Sequence, residues 1–345
     1  MQQKMDGDLI IREYPKQHYK TLFNQRTGFF MRVEDDGYPE PFWAQEGPEL
    51  LDVSITNYCE RGCQFCYRKA NTMGHHMSLE SLKHVITQAK NAGVFQIALG
   101  GGNPNQHPYF EDVLRLIREA NIVPSYTTNG DGLSKDILVA TKTYCGAMAV
   151  SLYEPYTQYD EVFERIFSMG IKCNAHIILK TDTIDMLTDW FTKPPQFFKW
   201  VNAVVILTYK PITSSSDLMV KDAQKLQQFY DAVSSCNAVK IGFDSCSVPG
   251  IVRWMNVNSS LIEPCESARF SAFISEDLKM YPCSFMVNTN SFGDLKSQSL
   301  IDIWRNHPAF VTHRKKIKNN NCSGCKKINL CNGGCVFLPE INQCL

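Results

Sequence analysis

Cys59-Glu-Arg-Gly-Cys63-Gln-Phe-Cys66 places three thiols on one short segment, directly after an apolar, β-rich run at Leu50–Thr56. Closely spaced thiolates hold iron–sulfur clusters, whereas structural zinc takes four ligands and usually divides them between two knuckles. Three cysteines leave one iron of a four-iron cluster without a protein ligand, and that open position can bind and activate a small molecule. The competing reading is a zinc knuckle completed by His75 or His76, or thiols that hold nothing.

Fourteen cysteines are present, and seven of them crowd the last quarter at Cys265, Cys283, Cys322, Cys325, Cys331, Cys335 and Cys344. The amino terminus, Met1-Gln-Gln-Lys-Met-Asp-Gly-Asp, has no apolar segment that a secretion apparatus would read, so a cytoplasmic location and reduced thiols are expected. Clustering then points to metal. CxxC units serve zinc as well as iron, so a zinc-stabilised binding or scaffold protein is the reading from a different class. Cys145, Cys173 and Cys236 fall on or beside expected core elements and read as structural thiols.

The elements that position these residues follow from periodicity. Leu50–Thr56 reads as a strand. Ser78–Ala92 reads as a helix with a serine cap and apolar residues at Leu79, Leu82, Val85, Ile86 and Ala89. Strands at 95–99, 122–127, 147–152, 172–179 and 202–208 alternate with helices at 109–120, 135–143, 159–169, 184–191 and 217–234. Six βα units in succession predict an α/β fold: a partial (β/α)6 TIM-like barrel, with the active site at the carboxyl ends of its strands. A flat doubly wound sheet is the alternative. Three regions are expected: an aromatic-rich extension at 1–49 with a short hairpin at Asp35-Asp36-Gly37, the barrel at 50–240, and a small loop-rich, Cys-rich iron–sulfur domain at 241–345.

The chain of 345 residues is 44% hydrophobic, and 35 Lys plus Arg balance 35 Asp plus Glu. That balance removes the broad positive field of a phosphate-binding protein, so no nucleic-acid partner is expected. The longest apolar stretch, near Val201–Tyr209, is too short to span a bilayer, so no membrane association is expected.

The Cys-x3-Cys-x2-Cys loop after the first strand, with Phe65 before its last cysteine, resembles the signature of the radical S-adenosylmethionine (SAM) superfamily. The resemblance implies that Cys59, Cys63 and Cys66 hold a [4Fe–4S] cluster whose open iron is chelated by SAM. Reductive cleavage of SAM then gives a 5′-deoxyadenosyl radical that abstracts a hydrogen atom from the substrate. Ala98-Leu-Gly100-Gly101-Gly102-Asn103-Pro104 stands where the family carries a Gly-Gly-Glu-Pro-like motif near the SAM amino group, with Asn103 replacing the acid. Glycines there let the backbone approach a ligand. Asn129, Ser151 and Asn174 or His176 stand where the family contacts the ribose and carboxylate. Each of these also has a packing role as its simpler reading.

The carboxyl-terminal array, with Tyr281-Pro282-Cys283 ahead of Cys322-x2-Cys325-x5-Cys331-x3-Cys335 and Cys344, resembles the SPASM extension of that superfamily. The resemblance implies two auxiliary [4Fe–4S] clusters, three in all, with Cys246 as the eighth auxiliary ligand. The family's interleaved pattern assigns Cys246, Cys265, Cys283 and Cys335 to one cluster and Cys322, Cys325, Cys331 and Cys344 to the other. Relatives with this extension commonly modify peptides or proteins by cross-linking, thioether formation, epimerisation or oxidation. A peptide substrate and a ferredoxin- or flavodoxin-like electron donor are therefore expected. The 49 residues before the first barrel strand are too few for a leader-binding winged helix, so a separate leader-recognition protein is a further expected partner. A sugar, tetrapyrrole or other small metabolite is the alternative substrate. Ser284 replaces the Asp that follows the middle auxiliary cysteine in the sulfatase-maturing branch, which argues against that branch's reaction. Tyr153, Glu154, Tyr209 and Asp244 are candidate acids or phenols at the barrel mouth. His75-His76 and Arg314–Lys318 read as solvated segments.

Overall fold

Ser78 accepts a hydrogen bond from the Ser81 amide, and Gly93 closes the other end in the left-handed region at φ 75°. These caps bound α1 (Leu79–Ala92), whose Leu82, Val85, Ile86 and Ala89 are buried. The same logic repeats along the chain. The computed structural model describes residues 2–212, 216–258, 261–319, 322 and 324–344.

Six parallel strands carry the barrel: β5 (Leu50–Thr56), β6 (Gln96–Gly101), β7 (Val123–Thr128), β8 (Ala147–Ser151), β9 (Cys173–Leu179) and β10 (Ala203–Thr208). They pair in sequence order, each with the next. Between them run α1, α2 (Phe110–Glu119), α3 (Lys135–Tyr144), α4 (Tyr159–Ser168) and α5 (Ile184–Thr192), with α6 (Ala223–Ser235) after β10. A doubly wound sheet reverses its strand order at a switch point; this order never reverses, so the expected partial barrel is the fold. One continuous core, from Leu51 and Val85 to Phe229 and Trp304, lies between the sheet and the helices.

The sheet does not stop at residue 240. β11 (Ile241–Phe243) adds parallel to β10. On the other edge β12 (Ser271–Ile274) pairs parallel with β5, followed by the antiparallel β13 (Lys279–Tyr281) and β14 (Gly293–Asp294). This junction brings Cys265 and Cys283 to the barrel strand that precedes the Cys59–Cys66 loop. α7 (Val248–Trp254) packs on α6, at the other edge of the sheet, while α8 (Leu300–Asn306) packs on α1 and on α9 (Pro308–Lys318).

Three expectations need correction. Instead of a short hairpin, β1 (Gln2–Asp6), β2 (Leu9–Tyr14), β3 (Tyr19–Asn24) and β4 (Phe30–Glu34) form a four-stranded antiparallel sheet. Asp35-Asp36-Gly37 follows its last strand; Pro39 and Pro41 deny the next segment the amide donors a returning strand needs. Phe23 and Ile10 of this sheet pack on Phe95 and Val123, at the amino-terminal ends of β6 and β7. The helix expected from 217 starts at Ala223, because the Asp222 carboxylate caps the amides of Gln224 and Lys225. Arg314 is buried rather than solvated: its guanidinium stacks 3.6 Å from the Trp43 ring and donates to the Ala268 and Trp304 carbonyls.

Candidate active site

The loop from Asn57 to Met77 is held at the carboxyl end of β5 by backbone hydrogen bonds. Cys59 N donates to Asn71 O at 3.1 Å and Cys66 N to Cys63 O at 3.1 Å. The end of β6 is zipped to the same loop, with Gly102 N on Thr56 O at 2.7 Å and Asn103 N on Tyr58 O at 2.9 Å. A Cβ on Gly102 would stand 2.0 Å from Tyr58 O, and one on Gly101, at φ +110°, 2.1 Å from Thr56 O. These two glycines serve the cysteine loop, and only Gly100 opens onto free space.

Cys59, Cys63 and Cys66 line a cavity of about 520 Å³ together with Gly100, Gly101, Gly102, Asn129, Ser151 and His176. Asn103 stands apart. It is 1% exposed, and its Oδ1 accepts from Thr128 Oγ1 (2.8 Å) and Asn129 N (3.2 Å). It therefore braces the loop after β7, and its amide faces Asn129 rather than the cavity. Asn129 Nδ2 in turn lies 3.7 Å from Cys59 Sγ. Asn174 is at the opposite end of β9, where its Oδ1 accepts from Asn202 Nδ2. Burial lowers the His176 pKa to about 4, so the ring is neutral near pH 7.

Tyr153, Tyr209 and Asp244 also line this cavity, while Glu154 lines an adjoining one of about 570 Å³ with Lys180 and Asp182. His75 is exposed against Asp277 at 3.0 Å; His76 is half-buried on Thr56 Oγ1 at 2.8 Å. Sequence reasoning missed three charged residues of the cavity wall: Asp52, Arg61 and Lys210. Asp52, on β5 between Ala98 and Phe273 of the neighbouring strands, is half-buried on the cavity wall, and desolvation raises its pKa to about 6. A carboxylate in the middle of a strand otherwise free of charge was the available signal. Lys210, just after β10, is buried and ion-paired with Asp244.

Cys246, Cys265, Cys283 and Cys335 line a second, apolar cavity, which Cys331 also borders. Burial pushes the Cys265 thiol up to about 11 and Cys283 to about 12, with the charge of Cys265 adding to the rise at Cys283, while Lys210 opposes it. The Cys246 thiol is raised as well, by burial. Thiols so placed become thiolates only when a cation replaces the protons. Soft sulfur donors lining one cavity suit an iron–sulfur cluster or zinc. Cys322, Cys325, Cys331 and Cys344 form another mutually interacting set near the carboxyl end, with Cys325 and Cys344 exposed. The residues present therefore fit three thiolate-bound groups: one in the Cys59–Cys66 loop with an open side, and two in the carboxyl-terminal region.

Two family models match this chain: the radical SAM superfamily over residues 53–152 and the SPASM iron–sulfur cluster-binding domain over residues 265–326. The chain carries a radical SAM domain and a SPASM domain. It is a radical SAM enzyme with a SPASM extension, and SAM and iron–sulfur clusters are the cofactors these two domains take. Mycofactocin maturase MftC of Mycolicibacterium smegmatis is 18% identical over 319 residues, covering 84% of this chain and 79% of that protein. An S-adenosylmethionine-dependent nucleotide dehydratase of Flammeovirga pacifica is 29% identical over 160 residues, which is 38% of this chain and 54% of that one. Among solved structures, Streptococcus suis SuiB bound to its precursor peptide SuiA superposes with a TM-score of 0.76 at 14% identity, over 98% of this chain and 97% of that one. SuiB bound to S-adenosylmethionine gives 0.75 at 15% identity, over 98% and 96%.

Proposed function

We propose that this radical SAM enzyme modifies a ribosomally made peptide or protein, by cross-link, thioether formation, epimerisation or oxidation. The observation that carries the reading is the three-thiol cavity at the barrel mouth sharing a wall with a four-thiol cavity. The similarity over most of the chain to a maturase, and of the fold to a protein solved with a precursor peptide, supports the substrate class. In this reading the barrel of residues 50–240 takes SAM, and residues 241–345 carry two auxiliary [4Fe–4S] clusters.

Cys59, Cys63 and Cys66 would hold the first cluster, Cys246, Cys265, Cys283 and Cys335 the second, and Cys322, Cys325, Cys331 and Cys344 the third. When bound, the first cluster would supply the one electron that splits the SAM sulfonium into methionine and a 5′-deoxyadenosyl radical, and that radical would take a hydrogen atom from the substrate. Gly100, Asn129, Ser151 and neutral His176 would contact SAM, with Gly101 and Gly102 holding the strand end against the cysteine loop and Asn103 holding Asn129. The apolar walls, Phe65, Leu99, Ile178 and Phe273 among them, exclude water from a reactive radical. A ferredoxin- or flavodoxin-like protein would donate electrons, and a separate leader-recognition protein is a further partner.

A small-molecule substrate is the second reading, favoured by the higher identity to the nucleotide dehydratase over part of the chain. Anaerobic reconstitution with iron, sulfide and zinc analysis, and SAM cleavage under dithionite, tests the chemistry. About twelve irons per chain with 5′-deoxyadenosine formation is expected. About eight with cleavage removes one auxiliary cluster, and zinc without cleavage overturns the reading. Peptide against small-molecule substrate is then decided by which one carries the mass change after turnover.

A further inference from the structure

Lys210 and Phe285 line both the cavity of Cys59, Cys63 and Cys66 and the cavity of Cys246, Cys265, Cys283 and Cys335. They are the wall between the two. Lys210 is 8% exposed and its Nζ lies 4.7 Å from the Phe285 ring centre. Its partner Asp244 lines only the first cavity. The ion pair is thus asymmetric: the lysine borders both cavities and the aspartate one, and at Cys246 the ammonium's charge outweighs the carboxylate's.

Asp244 does not depend on Lys210 alone. It accepts from Thr208 N at 3.2 Å, Ser247 N at 3.1 Å and Ser247 Oγ at 2.7 Å. This anchoring fixes the pair's direction and keeps the carboxylate hydrogen-bonded if the lysine is replaced.

We infer that Lys210 is a positioning residue for electron flow, whose buried ammonium raises the reduction potential of the cluster held by Cys246, Cys265, Cys283 and Cys335. The inference rests on the proposed ligand assignment. Reduction adds one electron and makes or breaks no bond, so the reduced form carries one more negative charge, which a nearby buried cation stabilises. Lys210 is buried, so bulk water screens the interaction little. The cluster facing the SAM cavity through Lys210 is thereby the better electron acceptor of the two auxiliary groups.

The test is an EPR-monitored dithionite titration of the anaerobically reconstituted full chain, wild type against Lys210→Met and Asp244→Asn. The signal of interest is the one lost in both Cys246→Ala and Cys283→Ala. Lys210→Met is expected to disfavour its reduction about tenfold, about 59 mV for a one-electron centre. Asp244→Asn is expected to move it the opposite way, and the other two signals are expected to hold still. A packing disturbance shifts both variants in one direction, and that result overturns the inference, as does an unmoved potential in variants with full iron content. If the two cysteine variants keep the wild-type iron count, the ligand assignment fails, and the inference fails with it.

Discussion

Asn129 Nδ2 lies 3.7 Å from Cys59 Sγ, so the loop after β7 hands an amide donor to the first thiol of the cysteine loop. The amide is held in place from behind: Asn103 Oδ1 accepts the Asn129 backbone N–H, and Asn129 Oδ1 accepts that of Asp131 at 2.9 Å. A donor to a ligating thiolate stabilises the reduced cluster, and loss of such outer contacts typically costs 10–100-fold.

Asn129→Ala is therefore expected to slow 5′-deoxyadenosine formation about tenfold or more, with iron and sulfide content unchanged. Chromatographic assay of 5′-deoxyadenosine under dithionite, beside iron analysis, checks it. Unchanged cleavage would show that the contact with sulfur is incidental.

The three glycines at the end of β6 are expected to separate by role. Gly102→Ala drives a Cβ into the Tyr58 carbonyl and is expected to cost about 3 kcal/mol or more of stability. Gly100→Ala meets no atom within 4 Å, so folding is expected to hold while the methyl group occupies the cavity and weakens SAM binding. Thermal melts and equilibrium dialysis of SAM distinguish the two outcomes.

Asp52 sets a pH dependence whose sign follows from burial. Its folded pKa, about 6, lies above the unfolded value near 3.8. The folded state therefore holds its proton longer, and the stability associated with that proton is present below pH 3.8 and lost as pH rises through 6. Asp52→Asn is expected to gain roughly 2–3 kcal/mol over the wild type at pH 8, a gain that shrinks below pH 6 and vanishes near pH 4. Denaturant melts from pH 4.5 to 8 check it; a pH-independent gain rejects it.

Arg314 links α9 to Trp43 and to the carbonyls of Ala268 and Trp304. Arg314→Met keeps much of the apolar contact but leaves both carbonyls unpaired in a buried place. A loss of about 2–4 kcal/mol is expected in urea unfolding, with no change in SAM affinity.

Much of the barrel was legible because each βα unit announces itself locally. Apolar β-rich runs, serine caps and closing glycines located all six strands, and the helices around them to within a few residues, except the start of α6. There the expected start at Asp217 is too early, because the Asp222 carboxylate caps the amides of Gln224 and Lys225. The pairing of β12 with β5 has no local signature, since nothing in Ser271–Ile274 names a partner more than 200 residues upstream. Lys210 escaped for a similar reason: a lysine after a strand reads as solvated until the wall on its far side is known. The glycines were read for what they could admit, yet two of them are required by the neighbouring loop.

That pairing of β12 with β5 also bears on how the chain is made. β5 is translated early, and the strand that covers its open edge comes out of the ribosome only after most of the polypeptide. Until then the nascent barrel presents a bare, apolar edge of unpaired amides and carbonyls, a template for association with other chains. Expression at a slowed rate, or with holdase chaperones, should therefore raise the yield of correctly folded protein.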